Sequence, residues 1–253
     1  MDALSMARRG DTTTITLTRP ERRNVLALDV LTALTAAFVE AGESDARAVI
    51  LAAEGPVFSA GHDFADMAGA DLATARRLFR TCTDLMETIQ ALPQPVVARV
   101  HALATAAGCQ LVATCDLAVA AASAGFALPG GRGGLFCHTP AVAVARAVGP
   151  KRALEMALTG DVIDAETAAA WGLVNRCVPD DELDAAVADL VARVTRGGRA
   201  SKGLGKQTFH AQVGRSQADA YALAIEVMAA ATQTDEAREG VAAFLEKRPP
   251  AFD

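Results

Sequence analysis

The chain has 253 residues, of which 51% are hydrophobic and only 4% aromatic, and its formal net charge is −6. This length fits one large α/β domain, or a core with an appended region, and the core would consist mainly of Ala, Leu and Val. The acidic balance argues against a general nucleic-acid binder, which needs a basic face.

Cysteine and histidine positions argue against a disulfide framework and a metal site. The five cysteines are an odd number, are irregularly spaced and form no CxxC pair, which is typical of reduced thiols. The four histidines show no ligand spacing, so neither a metal nor another cofactor is expected. The N-terminus has no apolar secretion signal, and no apolar stretch is long enough to cross a bilayer. We therefore expect a cytoplasmic protein that does not bind membranes.

In chain order, the first half alternates strand and helix patterns. Asp29 is placed to cap the first predicted helix, which carries Leu31, Leu34 and Phe38. This alternation favours a parallel sheet with helical crossovers. Strands are predicted at 12–18, 48–53, 96–100 and 117–121, with a long amphipathic helix at about 72–92 and a small-residue helix from Ala106.

After the glycine-rich segment 130–134, the chain is predicted to be almost wholly helical. Gly197-Gly198 marks a predicted boundary between a core, residues 1–197, and a C-terminal helical region, residues 198–253. The predicted helices of this half are 140–148, 151–158, 165–170, 180–194, 201–210, 217–232 and 235–247.

Two short segments leave backbone N–H groups uncovered. Phe58-Ser59-Ala60-Gly61-His62-Asp63 follows an apolar strand, and Ala106-Ala107-Gly108-Cys109-Gln110 opens a helix with very small residues. Two such donors that converge on one point would stabilise negative charge on a carbonyl oxygen, and the helix start adds its positive dipole end. For either segment alone, close approach of a helix and a strand is an equally good explanation.

Further short motifs occur in a fixed order along the chain. They are Arg19-Pro20 with Asn24, Gly108-Cys109-Gln110-Leu111 with Cys115-Asp116, Phe126-Ala127-Leu128-Pro129, Ala147-Val148-Gly149, Leu158-Thr159-Gly160, Gly172-Leu173-Val174-Asn175 and Ala243-Phe244-Leu245-Glu246-Lys247-Arg248. Together with the two donor segments, they resemble the crotonase superfamily, the enoyl-CoA hydratase/isomerase family, over nearly the whole chain. Residues 104–113 and 134–137 are most similar to its enoyl-CoA hydratase domain-containing protein 3 group.

The resemblance implies an α/β fold with a crotonase-like spiral core of β-β-α turns and a C-terminal helical trimerisation region. It also implies a homotrimer, or a hexamer made of two trimers, that takes acyl-CoA as substrate or ligand. The thioester carbonyl would lie between the backbone N–H groups of His62 and Ala107, where the family usually has Gly at position 107. The candidate substrate-binding residues are Arg23, Ala60, His62, Asp63, Phe64, Asp66, Ala107, Arg132 and Lys247.

Two positions depart from the family pattern. Gln110 and Gly130 stand where family hydratases carry glutamates that activate water and deliver a proton. An amide does not ionise near neutral pH, and glycine has no side chain. Loss of a general acid or base typically costs about 10²–10⁴-fold in rate, so hydration by the usual mechanism is not expected. If the scaffold is otherwise intact, Gln110→Glu with Gly130→Glu should restore it.

Several side chains are candidates to replace the missing base. His138 is preferred because imidazole exchanges protons near neutrality, and Asp66 and Cys137 are alternatives. Asp63 is expected to cap the helix that follows it.

The leading interpretation is an acyl-CoA-binding member of the hydratase/isomerase family that polarises a thioester. The alternative is a non-catalytic acyl-CoA binder or assembly partner.

Overall fold

The computed structural model describes residues 3–252. Its strands are β1 (Leu4–Arg9), β2 (Thr12–Leu17), β3 (Ala48–Ala53), β4 (Val57–Ser59), β5 (Val96–Val100), β6 (Leu103–Thr105), β7 (Leu117–Ala121), β8 (Gly125–Ala127), β9 (Ile163–Asp164) and β10 (Arg176–Val178). Its α-helices are α1 (Leu28–Glu43), α2 (Leu72–Ala91), α3 (Ala107–Thr114), α4 (His138–Val148), α5 (Pro150–Thr159), α6 (Ala165–Trp171), α7 (Leu183–Val194), α8 (Arg199–Gln212), α9 (Gln217–Ala231) and α10 (Asp235–Glu246).

The strands form two sheets. The larger sheet has the order β1-β2-β3-β5-β7-β10 and is parallel except for β1, which pairs antiparallel with β2. The smaller has the order β4-β6-β8-β9, and only β9 is antiparallel to its neighbour. Three times in succession, a strand of the larger sheet leads into a short strand of the smaller sheet and then into a helix. This confirms the predicted α/β spiral of β-β-α turns and the helical C-terminal region.

The main core cluster contains buried residues from both sheets and from helices α1 to α6. The amphipathic stripe of α2, which includes Leu78, Leu85 and Ile89, is buried as predicted. Pro93 and Pro95 follow this helix and exclude its continuation. A second apolar cluster, which includes Val119 and Val187, packs α7 against the other face of the larger sheet.

The structure differs from the sequence prediction in three added strands and in one predicted helix cap, which is wrong. The structure adds β1, which the sequence pattern does not reveal, and the short β9 and β10 interrupt the predicted helical half. Helix α1 begins at Leu28, so Asp29 lies inside its first turn and pairs with Arg19 at 2.7 Å instead of capping it. The Leu28 N–H donates to Asp66 Oδ2 at 2.8 Å, so the capping carboxylate comes from a distant loop.

The C-terminal helices are fastened to the core by a buried ion pair. Lys206 Nζ on α8 lies 2.7 Å from Asp116 Oδ2, and His210 Nε2 lies 3.0 Å from Asp116 Oδ1. Helix α8 begins beside the predicted boundary at 197–198, but these contacts tie it closely to the first region. The division into two regions stays a prediction. Within residues 3–252, no helix has both the length and the apolar content needed to cross a membrane.

Candidate functional site

The first donor segment is a tight turn at the end of β4. Ser59 Oγ donates to the Asn24 carbonyl at 2.8 Å and accepts from the Gly61 N–H at 3.3 Å. Gly61 has a φ of +84°, a conformation that favours glycine. The Leu26 N–H donates to the Gly61 carbonyl at 2.8 Å, which pins the turn to the chain that precedes α1.

The second donor segment is the start of α3. The Ala106 N–H donates to the Ala127 carbonyl at 2.9 Å, and the Ala106 carbonyl accepts from Gln110 at 3.0 Å. Ala106 itself has φ +49° and ψ −118°, which is strained for a residue with a side chain. Ala107 is the first residue of the helix and is fully buried. Its N–H therefore belongs to the first helical turn, where no partner exists within the helix.

The two segments touch through their backbones. A β-carbon built on Gly61 would lie 2.9 Å from Ala106 Cβ and 3.1 Å from the Ala107 nitrogen. One built on Gly108 would lie 2.5 Å from the Ser59 carbonyl oxygen. Only glycine fits at either position without a shift of the backbone.

The two predicted donors have no partner in the described part of the chain. Neither the His62 N–H nor the Ala107 N–H donates to a backbone or side-chain acceptor within residues 3–252. Adjacent amides of this kind can hydrogen-bond a carbonyl oxygen of a ligand. The structure thus brings together the two segments that the sequence singles out.

The side chain of Gln110 faces a neutral environment. It is 5% exposed, and the Cys82 thiol donates weakly to Oε1 at 4.0 Å. Burial raises the pKa of Cys82 to about 12, so this thiol stays protonated. Neither side chain can serve as a base near neutral pH.

The loop around Gly130 is closed over the position of the missing side chain. A β-carbon there would lie 2.2 Å from the Leu135 carbonyl oxygen and 2.8 Å from Cys137 Sγ. The Gly130 N–H donates to Cys137 Sγ at 3.3 Å, and the Leu135 N–H donates to the Gly130 carbonyl at 3.0 Å. A glutamate at position 130 therefore requires the loop to move. This is an obstacle to restoring hydration by Gln110→Glu with Gly130→Glu, and it cannot be seen in the sequence.

Two of the three predicted replacement bases, Asp66 and Cys137, are held by other groups of the protein. Asp66 caps α1 through Leu28. Cys137 is buried against the loop, and burial raises the pKa of its thiol. His138 is exposed at the start of α4 and packs against Phe136, with ring centroids 5.1 Å apart.

Two further substrate-binding candidates, Asp63 and Arg23, lie beside the first donor segment. Asp63 accepts from the Ala65 N–H at 3.0 Å, which confirms its predicted capping role, and it also pairs with Arg22. The Arg23 carbonyl accepts from the Ala60 N–H at 3.0 Å, which holds the exposed Arg23 beside the segment.

Three further candidates have exposed side chains. Phe64 is 76% exposed. Arg132 pairs with Asp161 at the surface. Lys247 ends α10 in a left-handed conformation, φ +54°. Within residues 3–252, no cluster of three or more His, Cys, Asp or Glu side chains is arranged to hold a metal ion.

The side chain of His62 has an environment that the sequence does not predict. It is half-buried, and its ring meets the edge of Phe79 at a centroid distance of 5.3 Å. Its Nε2 atom is buried and has no hydrogen-bond partner among the described residues. A histidine in the donor turn predicts a backbone donor and a substrate contact, but not a buried ring nitrogen without a partner.

Comparison with known proteins gives consistent matches over almost the full chain. Residues 8–253 match the profile described as Enoyl-CoA hydratase/isomerase. The chain is 43% identical over 242 residues to the mitochondrial enoyl-CoA hydratase domain-containing protein 3 of Rattus norvegicus, covering 94% of this chain and 80% of that protein. It is 36% identical over 239 residues to a probable enoyl-CoA hydratase of Rhodobacter capsulatus, covering 94% and 93%.

Solved structures give the same result. An enoyl-CoA hydratase of Mycobacterium smegmatis has a TM-score of 0.96 and 46% identity and covers 99% of both chains. The human enoyl-CoA hydratase domain-containing protein 3 has a TM-score of 0.94 and 40% identity, covering 99% of this chain and 100% of that one.

The comparisons overturn one prediction. The vertebrate relatives with 40–43% identity are all described as mitochondrial. This finding contradicts the cytoplasmic location expected from the sequence.

Proposed function

The chain belongs to the enoyl-CoA hydratase/isomerase family, and we propose that it binds acyl-CoA and polarises the thioester carbonyl between two backbone amides. The family match over residues 8–253 confirms the resemblance drawn from the motifs. The amides are those of His62 and Ala107. The observation that carries the proposal is the contact between two distant segments, each of which presents an N–H group that has no partner among the described residues.

The two backbone N–H groups would stabilise the negative charge that develops on the carbonyl oxygen during the reaction. When a proton leaves the carbon next to a thioester, negative charge moves to the carbonyl oxygen. Fixed donors stabilise that oxygen without reorganising, and loss of one such donor typically costs about 10²–10³-fold in turnover. The start of α3 adds the positive end of its dipole to the same place.

The proposed reaction class is a proton shift through an enolate, such as isomerisation of an enoyl-CoA. Hydration also needs groups that position and activate water, and Gln110 and Gly130 supply no carboxylate. A proton shift needs one base only. The second candidate function is a non-catalytic acyl-CoA binder, favoured by the buried neutral Gln110 and the closed loop at Gly130.

We also propose that the protein assembles as a homotrimer, alone or paired into a hexamer, through its C-terminal helices. Helix α9 buries none of its residues in one chain, and Tyr221, Ile225 and Met228 are all more than 60% exposed. A groove of about 1030 Å³ runs along α8 and α9. An apolar surface of this kind marks an interaction site. Light scattering should give a trimer or hexamer mass, and Met228→Glu should lower it.

Calorimetry combined with enzyme assays tests the main proposal. Purified protein is titrated with saturated and unsaturated acyl-CoAs, and assayed for crotonyl-CoA hydration and 3-enoyl-CoA isomerisation. We expect binding together with isomerisation and little hydration. Binding without turnover would favour the non-catalytic alternative. A protein that binds no acyl-CoA would overturn both.

A further inference from the structure

The imidazole of His62 presents a nitrogen that no group within residues 3–252 satisfies. Its Nδ1 lies 3.3 Å from the Leu26 carbonyl oxygen. Because a carbonyl oxygen only accepts hydrogen bonds, Nδ1 carries the proton and Nε2 carries the lone pair. Nε2 is buried and has no partner within residues 3–252.

The surroundings of the ring keep it neutral. Burial lowers the pKa of His62, although the Leu26 carbonyl and the Asp66 carboxylate both favour the protonated form. The Asp66 carboxylate is held in turn by the Leu28 N–H. The Phe79 ring on α2 contributes an apolar edge. A neutral imidazole with a free lone pair is a base that is available at physiological pH.

The position of this base is set by the donor pair itself. One of the two unpartnered amides is the N–H of His62. A carbonyl group held by that amide is therefore bound at the same residue that carries the imidazole. Asp66 is committed to capping α1, and the His138 side chain is exposed on α4. Cys137 is held protonated, because burial raises the pKa of its thiol.

We infer that His62 is a catalytic residue of the acyl-CoA reaction, with Nε2 as the atom that removes a proton from the α-carbon of the bound acyl group. The inference rests on the proposed function. It assigns to one side chain the proton transfer for which the family positions, Gln110 and Gly130, carry no ionisable group.

The step balances without any other reactant. Nε2 takes the α-proton, the C–H electron pair becomes the enolate C=C bond, and the carbonyl π pair moves to the oxygen between the two amides. The imidazolium then returns the proton. If the imidazolium first exchanges its proton with solvent, return to the α-carbon gives α-proton exchange. Return to the γ-carbon of a 3-enoyl-CoA gives the conjugated 2-enoyl isomer.

Two variants at one position separate proton transfer from binding. His62→Gln keeps the backbone amide and a neutral polar side chain but provides no base, and His62→Ala leaves space for added imidazole. Each is titrated with 3-hexenoyl-CoA by calorimetry, and α-proton exchange is followed by NMR in deuterium oxide. Thermal unfolding checks that each variant folds.

We expect both variants to bind within about threefold of the native protein and to lose about 10²–10⁴-fold in exchange rate. Added imidazole should partly restore exchange in His62→Ala. In the native protein, the exchange rate should fall as pH is lowered through the pKa of His62. This profile tests the inference even if a variant fails to fold.

The failures of the two proposals are distinguishable. Native protein that binds acyl-CoA without α-proton exchange would overturn the role of His62 and leave the binding function standing. The same follows if His62→Gln exchanges at the native rate, or if only His138→Ala loses exchange. Native protein that binds no acyl-CoA would overturn the proposed function and this inference together.

Discussion

Gly61 lies so close to Ala107 that a β-carbon built on Gly61 would stand 3.1 Å from the Ala107 nitrogen. This contact joins the turn after β4 to the start of α3, two segments far apart in sequence. It depends on the left-handed conformation of Gly61, φ +84°, and on the absence of a side chain there. The geometry of the candidate site is therefore a property of backbone packing.

Gly108→Ala should weaken acyl-CoA binding and the fold together. Its β-carbon would lie 2.5 Å from the Ser59 carbonyl oxygen, so the two donor segments must separate. We expect a loss of about 1–3 kcal/mol in the free energy of unfolding and at least about a tenfold loss of affinity. The matched change in α10, Gly240→Ala, meets only Phe252 at 3.9 Å, so it should leave affinity unchanged and raise the free energy of unfolding by about 0.5–1 kcal/mol. Native affinity in Gly108→Ala would contradict this account of the site.

Ala106→Gly should stabilise the protein. Ala106 holds a positive φ of 49°, which typically costs a non-glycine residue about 1–3 kcal/mol. Glycine removes this strain but adds about 0.5–1 kcal/mol of unfolded-chain entropy, so a net gain of about 1 kcal/mol is expected. The neighbouring change Ala107→Gly relieves no strain and should destabilise α3. Denaturant unfolding measures the free energy of unfolding of both variants. Equal changes at the two positions would contradict the proposed strain at Ala106.

Gly130→Ala should destabilise the loop before α4. The added carbon meets the Leu135 carbonyl oxygen at 2.2 Å, and relief requires movement of the backbone. The expected cost is about 1–3 kcal/mol. The control Gly133→Ala has no atom within 4 Å and should be nearly neutral. By the same reasoning, Gln110→Glu with Gly130→Glu should not restore crotonyl-CoA hydration, and a clear gain would show that the loop yields easily.

Stability should fall in mildly acidic solution because of His62. Burial lowers the pKa of His62 in the folded protein from the ordinary value of 6.5. The unfolded chain then takes up a proton more readily, so this contribution is present above pH 6.5 and is lost as pH falls below it. Denaturant unfolding at about pH 8 and about pH 5.5 should show the decrease. His62→Gln should make this loss of stability between the two pH values smaller. If the variant loses as much stability as the native protein, other groups cause the pH dependence.

The long regular elements could be predicted from the sequence because their signals are local. The strand Val96–Val100 is an apolar run preceded by Pro93 and Pro95, and α2 carries a clear stripe of buried leucines. The donor segments stand out because small residues follow a strand or open a helix. The local patterns predict the alternating strands and helices. The family follows from the resemblance of the donor segments and the other motifs, in their order, to the enoyl-CoA hydratase/isomerase family.

The missed features arise from contacts between distant parts of the chain. Strand β1 is a strand because it pairs with β2, and its own residues are mostly exposed. The cap of α1 comes from Asp66 in another loop. The lone pair of His62 is isolated only because the ring is buried beside Leu26 and Phe79. No local pattern encodes these neighbours.

Infrared spectroscopy of a bound thioester tests the central claim most directly. An acyl-CoA with a ¹³C-labelled thioester carbonyl gives a stretching band that isotope-edited difference spectra resolve. If the amides of His62 and Ala107 hold this oxygen, the band of the bound ligand should lie below that of the free thioester in water. A bound ligand whose carbonyl band does not move below the aqueous value would contradict the account.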